Sequence, residues 1–372
     1  MVKVCHMTSA HKSNDIRIFY KECTSLAKAG YDVYLVAPGE SYEQNGVNVV
    51  GVQLINGGRI KRMTHGAKSI YKAALGTNAE IYHIHDPELL PYALRLKRKG
   101  KTVIFDSHED FVESLLEKKY IPLLVRYFLY YYFRLYYYTL RKLSAVITVS
   151  PHLGQKLGRL NKNTHIITNY PIVTDRNAIK EYSASNTIVY AGGISNQWCH
   201  ETIIESLGKC KNARYVLMGS GEEIYINRLK KLPQWEYVDF IGRVSHEEVY
   251  KKYSEASIGV AVLTYNRNTG NRIGTLGNTK IFEYMSEALP MICTDFVLWK
   301  EIVDKHKCGI CVNPYSSEEI ANAIDYLLSN PERAEEMGQN GRRAVLETYN
   351  WDLEEKKLVD LYSSLVERLA TV

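Results

Sequence analysis

The sequence predicts an α/β protein with two doubly wound domains, each holding a parallel β-sheet between helices. Short apolar strands alternate with helices along most of the 372 residues, and strands separated by helices pair in parallel through right-handed crossovers. A polar, irregular stretch, Asn169–Asn186, interrupts this alternation and is typical of a linker. We therefore expect an N-terminal domain over residues 1–170, a linker over 171–186 and a C-terminal domain over 187–350. The final segment, 351–372, is expected to rejoin the first domain as a helix.

The first segment opens with an apolar strand, Val2–Met7, and a helix, Asp15–Ala29, that stops at Gly30. The pair Asp86-Pro87 should begin another helix, since Asp can accept hydrogen bonds from free N–H groups and Pro fits the first helical position. The other strands predicted here are Tyr31–Ala37, Glu80–His85, Lys101–Asp106 and Ala145–Val149.

The second segment repeats this alternation, and several of its strands end at glycine. Ligands of doubly wound sheets bind beyond the carboxyl ends of the strands, so the loops at those ends form the candidate site. A helix is predicted over Thr279–Ala288. The strands predicted here are Thr187–Ala191, Tyr215–Met218, Val238–Ile241, Ile258–Leu263 and Pro290–Thr294.

Composition and charge exclude several classes of function. The formal net charge is +6, from 47 basic and 41 acidic residues, which suits an anionic small molecule or an anionic lipid surface. A nucleic-acid binder would need a denser basic face. The first strand–helix turn, Thr8–Asn14, contains no glycine, which argues against a hydride-transferring dehydrogenase.

Cysteine usage and hydropathy predict a cytoplasmic protein. Seven scattered cysteines do not form a disulfide framework, so we expect a reducing compartment. Cys308 and Cys311 form a lone C-x-x-C, which we interpret as two small apolar side chains on a strand, with a redox pair as the alternative. The sequence shows neither a signal peptide nor a run of about 18 apolar residues.

The strongest candidate for chemistry is the run Gly277–Met285. Asn278 or Thr279 can cap a helix whose first turn offers N–H groups and partial positive charge to a diphosphate. Lys280 adds a full charge, and Glu283, about one turn further on, can accept hydrogen bonds from two ribose hydroxyls. An amphipathic helix with Glu283 in solvent is the alternative interpretation.

This run, followed by Leu289–Asp295 and Glu301–Val303, resembles the donor-site signature of glycosyltransferase family 4. That family has the GT-B fold, in which two Rossmann-like domains face a cleft. The resemblance spans nearly the whole chain, because further motifs follow the family's order. These motifs are Asp15–Phe19 with Lys21-Glu22, His83–Glu88, Asp106–Asp110, Tyr190–Gly193 and Met218–Gly221.

The resemblance implies retaining transfer of a sugar from a nucleotide-diphosphate donor, without a metal or other cofactor. The chain also lacks the Asp-x-Asp pair that metal-dependent sugar transferases of the other common fold need. The expected base is uracil, by its frequency within the family, and the expected acceptor is lipid-linked or a saccharide in a polysaccharide pathway such as that of capsule or O-antigen.

By position, Glu283 would hold the ribose, Lys280 would face the diphosphate, and Arg243-Val244 would flank the base. His108 would lie beside the transferred sugar, where a histidine can stabilise developing charge; a structural histidine at a strand end is the alternative. Asp15 is the second catalytic candidate and could instead cap the first helix. The expected donor-binding residues are Gly192, Gly193, Gly219, Gly221, Arg243, Val244, Arg272, Thr275, Gly277, Asn278, Thr279, Lys280 and Glu283.

Two positions depart from the family pattern. Thr275 stands where the family usually has a first glutamate, and the stretch Ser195–Cys199 carries no cation after Gly193. A diphosphate buried without cations would be costly, so we expect compensation from Arg267 or Arg272. Two alternatives therefore stay open, which are a nucleotide-sugar epimerase of the same fold and a catalytically weak nucleotide-sugar-binding subunit.

The basic, aromatic stretch Lys118–Lys142 contains no Asp or Glu. If it is helical from Pro122, three of its arginines fall within about 80° of one another. A basic stripe among amphipathic aromatic side chains suits an anionic membrane, although a helix packed on the sheet would show the same pattern. We expect peripheral binding to the inner face of the plasma membrane. The residues expected at the membrane or acceptor are Arg126, Arg134, Arg141, Tyr130 and Tyr137.

Overall fold

The computed structural model describes residues 1–53, 62–118, 121–173, 182–183, 185–267 and 269–370. The chain forms two compact units, of which unit 1 comprises Met1–Asn169 with Trp351–Val372 and unit 2 comprises Tyr170–Asn350. Each unit has its own sheet and its own hydrophobic core. Most of the predicted linker, residues 174–181 and 184, lies outside the described residues.

Unit 1 is built on a sheet of eight strands among its described residues, in the order β3-β4-β2-β1-β5-β6-β7-β8. All neighbours pair in parallel except β3 with β4, which form an antiparallel hairpin at one edge. The parallel strands therefore end at one common edge. Their bounds are β1 Lys3–Met7, β2 Asp32–Pro38, β3 Tyr42–Gln44, β4 Val47–Val52, β5 Ile81–Ile84, β6 Thr102–Ser107, β7 Ala145–Thr148 and β8 Thr164–Ile166.

Helices cover this sheet, and the first of them is unusual. It runs as a π-helix over Ile16–Cys23 and continues as an α-helix over Thr24–Lys28. Such wide turns occur frequently at functional sites. The other α-helices of unit 1 are Ala67–Gly76, Leu90–Arg98, Phe111–Glu117, Leu123–Tyr136, Pro151–Gly158 and Trp351–Ala370, with a π-turn at Arg62–Gly66 and 3₁₀ turns at Pro87–Leu89 and Tyr137–Lys142.

The helix after β5 does not begin as the sequence suggested. Its first turn, Pro87–Leu89, is 3₁₀, and the Asp86 side chain makes no capping bond to it. The Asp86 carboxylate instead accepts from the backbone N–H of Ser9, at 2.6 Å, and from the Thr8 hydroxyl, at 2.8 Å. The predicted capping role of Asp86 is therefore wrong, because the loop after β1 supplies the stronger partners.

The helix Trp351–Ala370 packs on unit 1 although unit 2 precedes it in the chain. Its buried face joins a core cluster with residues of β1, β2 and the first helix. Trp351 is also anchored by its indole N–H, which donates to Ser25 Oγ at 3.0 Å. The buried positions of this helix that share the cluster are Trp351, Leu358, Leu361, Tyr362 and Leu365.

Unit 2 carries six parallel strands among its described residues, in the order β11-β10-β9-β12-β13-β14. The bounds are β9 Thr187–Ile194, β10 Arg214–Gly221, β11 Val238–Gly242, β12 Ile258–Ala261, β13 Met291–Thr294 and β14 Gly309–Val312. The α-helices are His200–Leu207, Glu223–Leu229, His246–Glu255, Lys280–Ser286, Val297–His306, Ser317–Ser329 and Pro331–Glu347, with 3₁₀ turns at Asn196–Trp198 and Pro233–Tyr237.

The glycines of β9 and β10 lie inside the paired strands, whereas the sequence placed them just after the strands. Gly192 pairs with Gly219, and Gly221 pairs with Ile194. A Cβ on Gly219 would lie 1.8 Å from the Gly192 carbonyl oxygen, and one on Gly221 would lie 2.0 Å from that of Ile194. Glycine therefore allows the two strands to continue side by side up to the edge of the sheet.

Two sequence-based interpretations of hydropathy and cysteine can be compared with the fold. Within the described residues, no helix combines the length and apolar character needed to cross a bilayer. Cys311 lies on β14, and its Sγ is 3.8 Å from that of Cys293 on the neighbouring β13. The close sulfur pair is thus formed across two strands and not within the C-x-x-C.

Candidate active-site residues in the two units

The carboxyl edge of the unit 2 sheet brings together several predicted donor residues. A Cβ on Gly192 would lie 3.0 Å from Lys280 Cε, so the lysine side chain rests against the Gly192 backbone. Lys280 opens a short helix that follows the loops after β12. Gly193 is open, since a Cβ there would meet no atom within 4 Å. The arrangement leaves backbone at this edge accessible beside a lysine.

Glu283 is the most heavily bonded side chain of this group. Its Oε1 accepts from the Thr279 hydroxyl at 2.5 Å, and its Oε2 accepts from Lys280 Nζ at 3.0 Å and from the Tyr253 hydroxyl at 3.2 Å. Burial alone would raise the pKa of Glu283, but the Lys280 charge and these hydrogen bonds lower it below its ordinary value. Glu283 is thus an ionised, preorganised acceptor.

The helix start at Lys280 differs in detail from the prediction. Thr279 occupies the capping position, but its side chain makes no capping bond because its hydroxyl is used by Glu283. Gly277 donates its backbone N–H to Thr275 Oγ1 at 3.1 Å. Asn278 is partly exposed between them.

Thr275, which stands where the family usually has glutamate, makes contacts that hold its own loop in place. Its carbonyl oxygen accepts from the indole N–H of the buried Trp299 at 2.8 Å, and its hydroxyl orders the Gly277 turn. The residue therefore shapes the loop that leads into the Lys280 helix. Arg272, on the same loop, is exposed and stacks over the Tyr265 ring at 4.8 Å.

Arg243 and Val244 follow β11, at the edge strand of the sheet. Arg243 is exposed, and Val244 is partly buried against the core. Gly242 has a φ of 80°, a left-handed conformation that turns the chain out of the strand. These residues therefore stand at the same edge as Gly192 and Gly219, as expected from parallel pairing.

The sequence missed a cation that the fold supplies beside β9. Arg228, from the helix after β10, places its guanidinium 2.5 Å from Asn196 Oδ1 and 2.5 Å from Glu201 Oε1. Asn196 lies in the stretch after Gly193 that carries no cation of its own. No spacing along the chain connects positions 196 and 228, so only the fold could reveal this contact.

In unit 1, the loops after β1, β5 and β6 meet because these strands are parallel neighbours. His108 follows β6, and its Nε2 lies 3.0 Å from Asp106 Oδ2. The rings of His108 and His11 have centroids 5.2 Å apart, and His11 Nδ1 lies 3.2 Å from Asp86 Oδ1. His108 is 21% exposed, so it lies at the accessible end of a buried polar network.

Asp15 caps the first helix, which is the alternative to a catalytic role that the sequence left open. Its carboxylate accepts from the backbone N–H of Arg17 at 2.9 Å and from that of Ile18 at 3.0 Å. Arg17 is only 4% exposed and therefore does not face an open site. Its Nε donates to Asp106 Oδ2 at 2.9 Å and lies 3.0 Å from Glu22 Oε1.

The pKa values of the two carboxyl groups beside Arg17 are shifted in opposite directions. Burial raises the pKa of Glu22 well above its ordinary value despite the nearby guanidinium. Burial would also raise the pKa of Asp106, but the charges of Arg17 and His108 lower it well below the ordinary value. Asp106 therefore carries the charge that orients His108.

A group of histidines extends the network below His108. His6 on β1 and His83 on β5 are direct register partners, and His85 follows on the same face of β5. Burial lowers the pKa of all three, that of His85 to about 4, so the rings are neutral. The sequence signal for this group is the pair His83 and His85, spaced by one residue at the end of a predicted strand.

The helix Leu123–Tyr136 leaves a wide apolar face exposed. None of its side chains is buried, and Leu124, Phe128 and Leu135 are 85%, 69% and 70% exposed. Spacings of four and seven residues place these three on one stripe. Part of the helix, around Phe133, packs on the unit 1 core. Residues 119 and 120 of the predicted basic stretch lie outside the described residues.

Two residues that were predicted to contact a membrane, Tyr137 and Arg126, make contacts within the protein instead. Tyr137 is 5% exposed and packs edge-on against Phe105, so its predicted membrane contact is wrong. Arg126 donates to the carbonyl oxygens of Leu116 and Ile121, both at 2.9 Å, and so anchors its own loop.

The other predicted cations of this stretch stand at the surface. Arg134 and Arg141 are exposed. Arg134 donates to the Tyr130 hydroxyl at 3.1 Å, and that hydroxyl in turn lies 3.3 Å from Glu113 Oε1. The basic stripe predicted from the sequence is therefore reduced to two arginines.

Two family models match the chain, one over each part. The model described as Glycosyltransferase Family 4 matches residues 17–170, and the model described as Glycosyl transferases group 1 matches residues 172–344. Both matches fall on the ranges that carry the site residues above.

Two curated relatives align with part of the chain. An uncharacterized glycosyltransferase of Methanocaldococcus jannaschii is 26% identical over 199 residues, which are 52% of this chain and 49% of that protein. A GDP-mannose-dependent alpha-(1-6)-phosphatidylinositol monomannoside mannosyltransferase of Mycobacterium tuberculosis is 29% identical over 152 residues, 40% of this chain and 38% of that protein. The chain thus matches less than half the length of these relatives.

Solved structures match over nearly the full length. Sucrose-phosphate synthase from Thermosynechococcus elongatus has a TM-score of 0.77 at 18% identity, covering 99% of this chain and all of that chain. Anabaena HepE, solved with UDP and glucose, has a TM-score of 0.72 at 13% identity, covering 98% of this chain and 100% of that chain. These identities establish the fold alone. With both family models matched, the chain belongs to the family 4 glycosyltransferases and has the GT-B fold.

Proposed function

We propose that the protein is a retaining glycosyltransferase that moves a sugar from a nucleoside-diphosphate donor to a lipid-linked or saccharide acceptor in polysaccharide biosynthesis. The observation that carries this proposal is the pairing of Glu283 with Lys280 against the Gly192 backbone, at the carboxyl edge of the unit 2 sheet. That edge is where doubly wound sheets bind nucleotides.

The donor's polar groups have matching partners at this edge. An ionised carboxylate such as Glu283 can accept hydrogen bonds from both ribose hydroxyls. Lys280 offers charge to the diphosphate, and the open backbone at Gly193 allows a close approach. We assign the neutralisation of the diphosphate to these groups, with Arg228 as a further cation, and not to a metal ion.

The proposed base is uracil, flanked by Arg243 and Val244. HepE was solved with UDP and with UDP-glucose, whereas the mycobacterial relative is described as using GDP-mannose. Guanine is therefore the competing outcome and belongs in every binding experiment. We assign the chemical step to His108, because Asp106 holds one ring nitrogen and leaves the other for the substrate.

We also propose that the exposed face of the helix Leu123–Tyr136 binds an anionic bilayer. Apolar side chains at this face would enter the interface, and Arg134 with Arg141 would meet lipid phosphates. The charge of the stretch supports this occupant, since residues 118–142 contain no acidic residue. A lipid-linked acceptor would then be met at the membrane surface.

Transfer is tested directly by incubating the protein with labelled UDP- and GDP-sugars and a lipid extract. Label appearing in the lipid or saccharide fraction is the expected result. A new nucleotide sugar formed without any acceptor would instead indicate an epimerase, and donor binding without turnover would indicate a binding subunit.

Glu283→Ala should abolish measurable binding of the preferred nucleotide. The carboxylate is expected to hold two ribose hydroxyls, and each lost charged hydrogen bond costs roughly 1.5–3 kcal/mol. Isothermal calorimetry with UDP and GDP measures the loss. Asp304→Ala, at an exposed position of the same unit, is the control and should bind normally. An unchanged affinity in Glu283→Ala would remove the ribose assignment.

His108→Ala should lower kcat far more than donor affinity, because the charge that it stabilises develops mainly in the transition state. A loss of about 10²-fold or more in kcat is expected for an electrostatic contact of this kind. Steady-state kinetics and nucleotide calorimetry separate the two quantities. His152→Ala, a partly buried histidine elsewhere in unit 1, serves as the matched control. Normal turnover in His108→Ala would make the residue structural.

Membrane binding should depend on both the apolar and the basic side chains of the exposed helix face. Leu124→Ser with Phe128→Ser should abolish co-sedimentation with anionic liposomes at any salt concentration. Arg134→Gln with Arg141→Gln should weaken it at low salt by about 2 kcal/mol, since each basic residue near such a surface contributes ~1 kcal/mol. Nucleotide affinity should not change.

The matched control for the arginine pair is Lys231→Gln with Lys251→Gln, two exposed cations of unit 2. This pair removes the same net charge and should leave sedimentation unchanged. Wild-type protein that stays in the supernatant at low salt would refute the membrane proposal, as would equal pelleting of every variant.

A further inference from the structure

Four buried side chains of unit 1 direct one ligand atom each toward a common centre. His6 lies on β1, His83 and His85 lie on or directly after the neighbouring β5, and Glu22 comes from the π-helix Ile16–Cys23. The side chains of all four are 0% exposed. Their ligand atoms all lie within 4.8 Å of one another.

The distances within this group have the size expected of ligands that share an ion. Glu22 Oε2 lies 3.9 Å from His6 Nδ1, from His83 Nδ1 and from His85 Nε2. His6 Nδ1 and His85 Nε2 are 3.0 Å apart. Zinc bound tetrahedrally at 2.0–2.1 Å by imidazole separates its ligand atoms by about 3.4 Å. The four observed distances lie on both sides of that value.

A water molecule fits this centre less well than an ion. These four of the six distances between ligand atoms average about 3.7 Å, and a regular tetrahedron with that edge has its centre about 2.3 Å from each corner. Hydrogen bonds to water need donor–acceptor distances of about 2.7–3.2 Å. The space is therefore too tight for a bridging water and close to the bond length of a zinc–imidazole contact.

Glu22 supplies an independent observation that points to a ligand. Its Oε2 atom has no hydrogen-bond partner among the described residues. Oε1 lies beside the Arg17 guanidinium, while Oε2 faces the three imidazoles. A buried carboxylate oxygen that faces three imidazole nitrogens, none of them within hydrogen-bond distance, costs free energy unless a cation lies between them.

The chemical nature of the four side chains also favours zinc. Neutral imidazole and carboxylate are the protein groups that zinc takes as ligands.

The outer contacts of the histidines resemble those of metal-bound imidazoles. His85 Nδ1 lies 3.3 Å from His108 Nε2 and 3.6 Å from Asp106 Oδ2, and His6 turns Nε2 toward the Tyr362 hydroxyl at 3.3 Å. Carboxylates and hydroxyls in these positions fix the ring orientation of metal ligands. His83 Nδ1 lies 2.9 Å from the same hydroxyl and would exchange this contact for the ion.

We propose that unit 1 binds one zinc-class divalent ion through His6 Nδ1, His83 Nδ1, His85 Nε2 and Glu22 Oε2. Four protein ligands leave no open coordination position, so the ion is structural and takes no part in donor chemistry. The inference does not rest on the proposed function. It departs from the sequence-based expectation that the chain holds no metal.

The first experiment measures the metal content of untagged wild-type protein, expressed with added zinc and then exchanged into metal-free buffer. Elemental analysis should find about one zinc per chain, since a fully enclosed ion dissociates only when the site opens. The protein is then unfolded in chelator and refolded with Co²⁺ in place of zinc. Visible ligand-field bands of tetrahedral Co²⁺ should appear and should saturate at one equivalent.

The second experiment locates the ion with matched variants. Glu22→Gln and His83→Gln should each lower the zinc content to below about 0.2 per chain, since loss of one of four ligands opens the site. His200→Gln removes a histidine that is equally buried, but in unit 2, and should retain the full equivalent. Comparison with His200→Gln separates loss of a ligand from a general cost of changing a buried histidine.

Two results would overturn the proposed zinc site. Wild-type protein that holds less than about 0.1 zinc per chain, and that shows no Co²⁺ bands after refolding, would overturn the inference. Retention of the full equivalent by both Glu22→Gln and His83→Gln would overturn it as well, because the ion would then lie elsewhere. If both variants fail to fold, the wild-type zinc content and the Co²⁺ spectrum still decide the question.

Discussion

A single guanidinium shared by two carboxylates holds the centre of unit 1. Arg17 joins the first helix to β6 through Asp106 and lies beside Glu22 on its own helix. Because the charges of Arg17 and Asp106 are buried, removing either of these two groups would leave the other uncompensated, which is far more costly than losing an exposed ion pair. The orientation of His108 depends on the same Asp106, so the accessible histidine is positioned by an interaction that lies wholly inside the fold.

In unit 2, the corresponding constraint is the limited number of hydrogen bonds that the Glu283 carboxylate can accept. A carboxylate has about four lone-pair sites, and Thr279, Lys280 and Tyr253 already donate to it. Two ribose hydroxyls can therefore bind only if one of these three donors breaks its hydrogen bond to the carboxylate. Lys280 is the natural one, since its side chain already rests against Gly192 and could turn toward a diphosphate. Binding of the ribose and binding of the phosphates would then be coupled through one lysine.

The sequence predicted the elements well and their chemistry unevenly. Strand–helix alternation depends on local patterns, so β1, β5, β6 and the strands β9 to β13 of unit 2 were predicted within a few residues. Asp86 was misassigned because its partners, Thr8 and Ser9, are remote in sequence. Tyr137 was misplaced since composition cannot show which face of a helix meets the core. Arg228 and the histidine cluster depend on strand order, which periodicity along the chain does not reveal.

The return of the helix Trp351–Ala370 to unit 1 sets an order on biosynthesis. The chain leaves unit 1 at Asn169 and rejoins it at Trp351, and translation at ~5–20 residues per second needs roughly 10–40 s to cross that interval. All of unit 2 has been translated before the last piece of unit 1 exists. Throughout that delay, the apolar surface of the nascent first helix and of β2 lacks its cover. Unit 1 thus exposes apolar surface during synthesis until the helix Trp351–Ala370 has been translated.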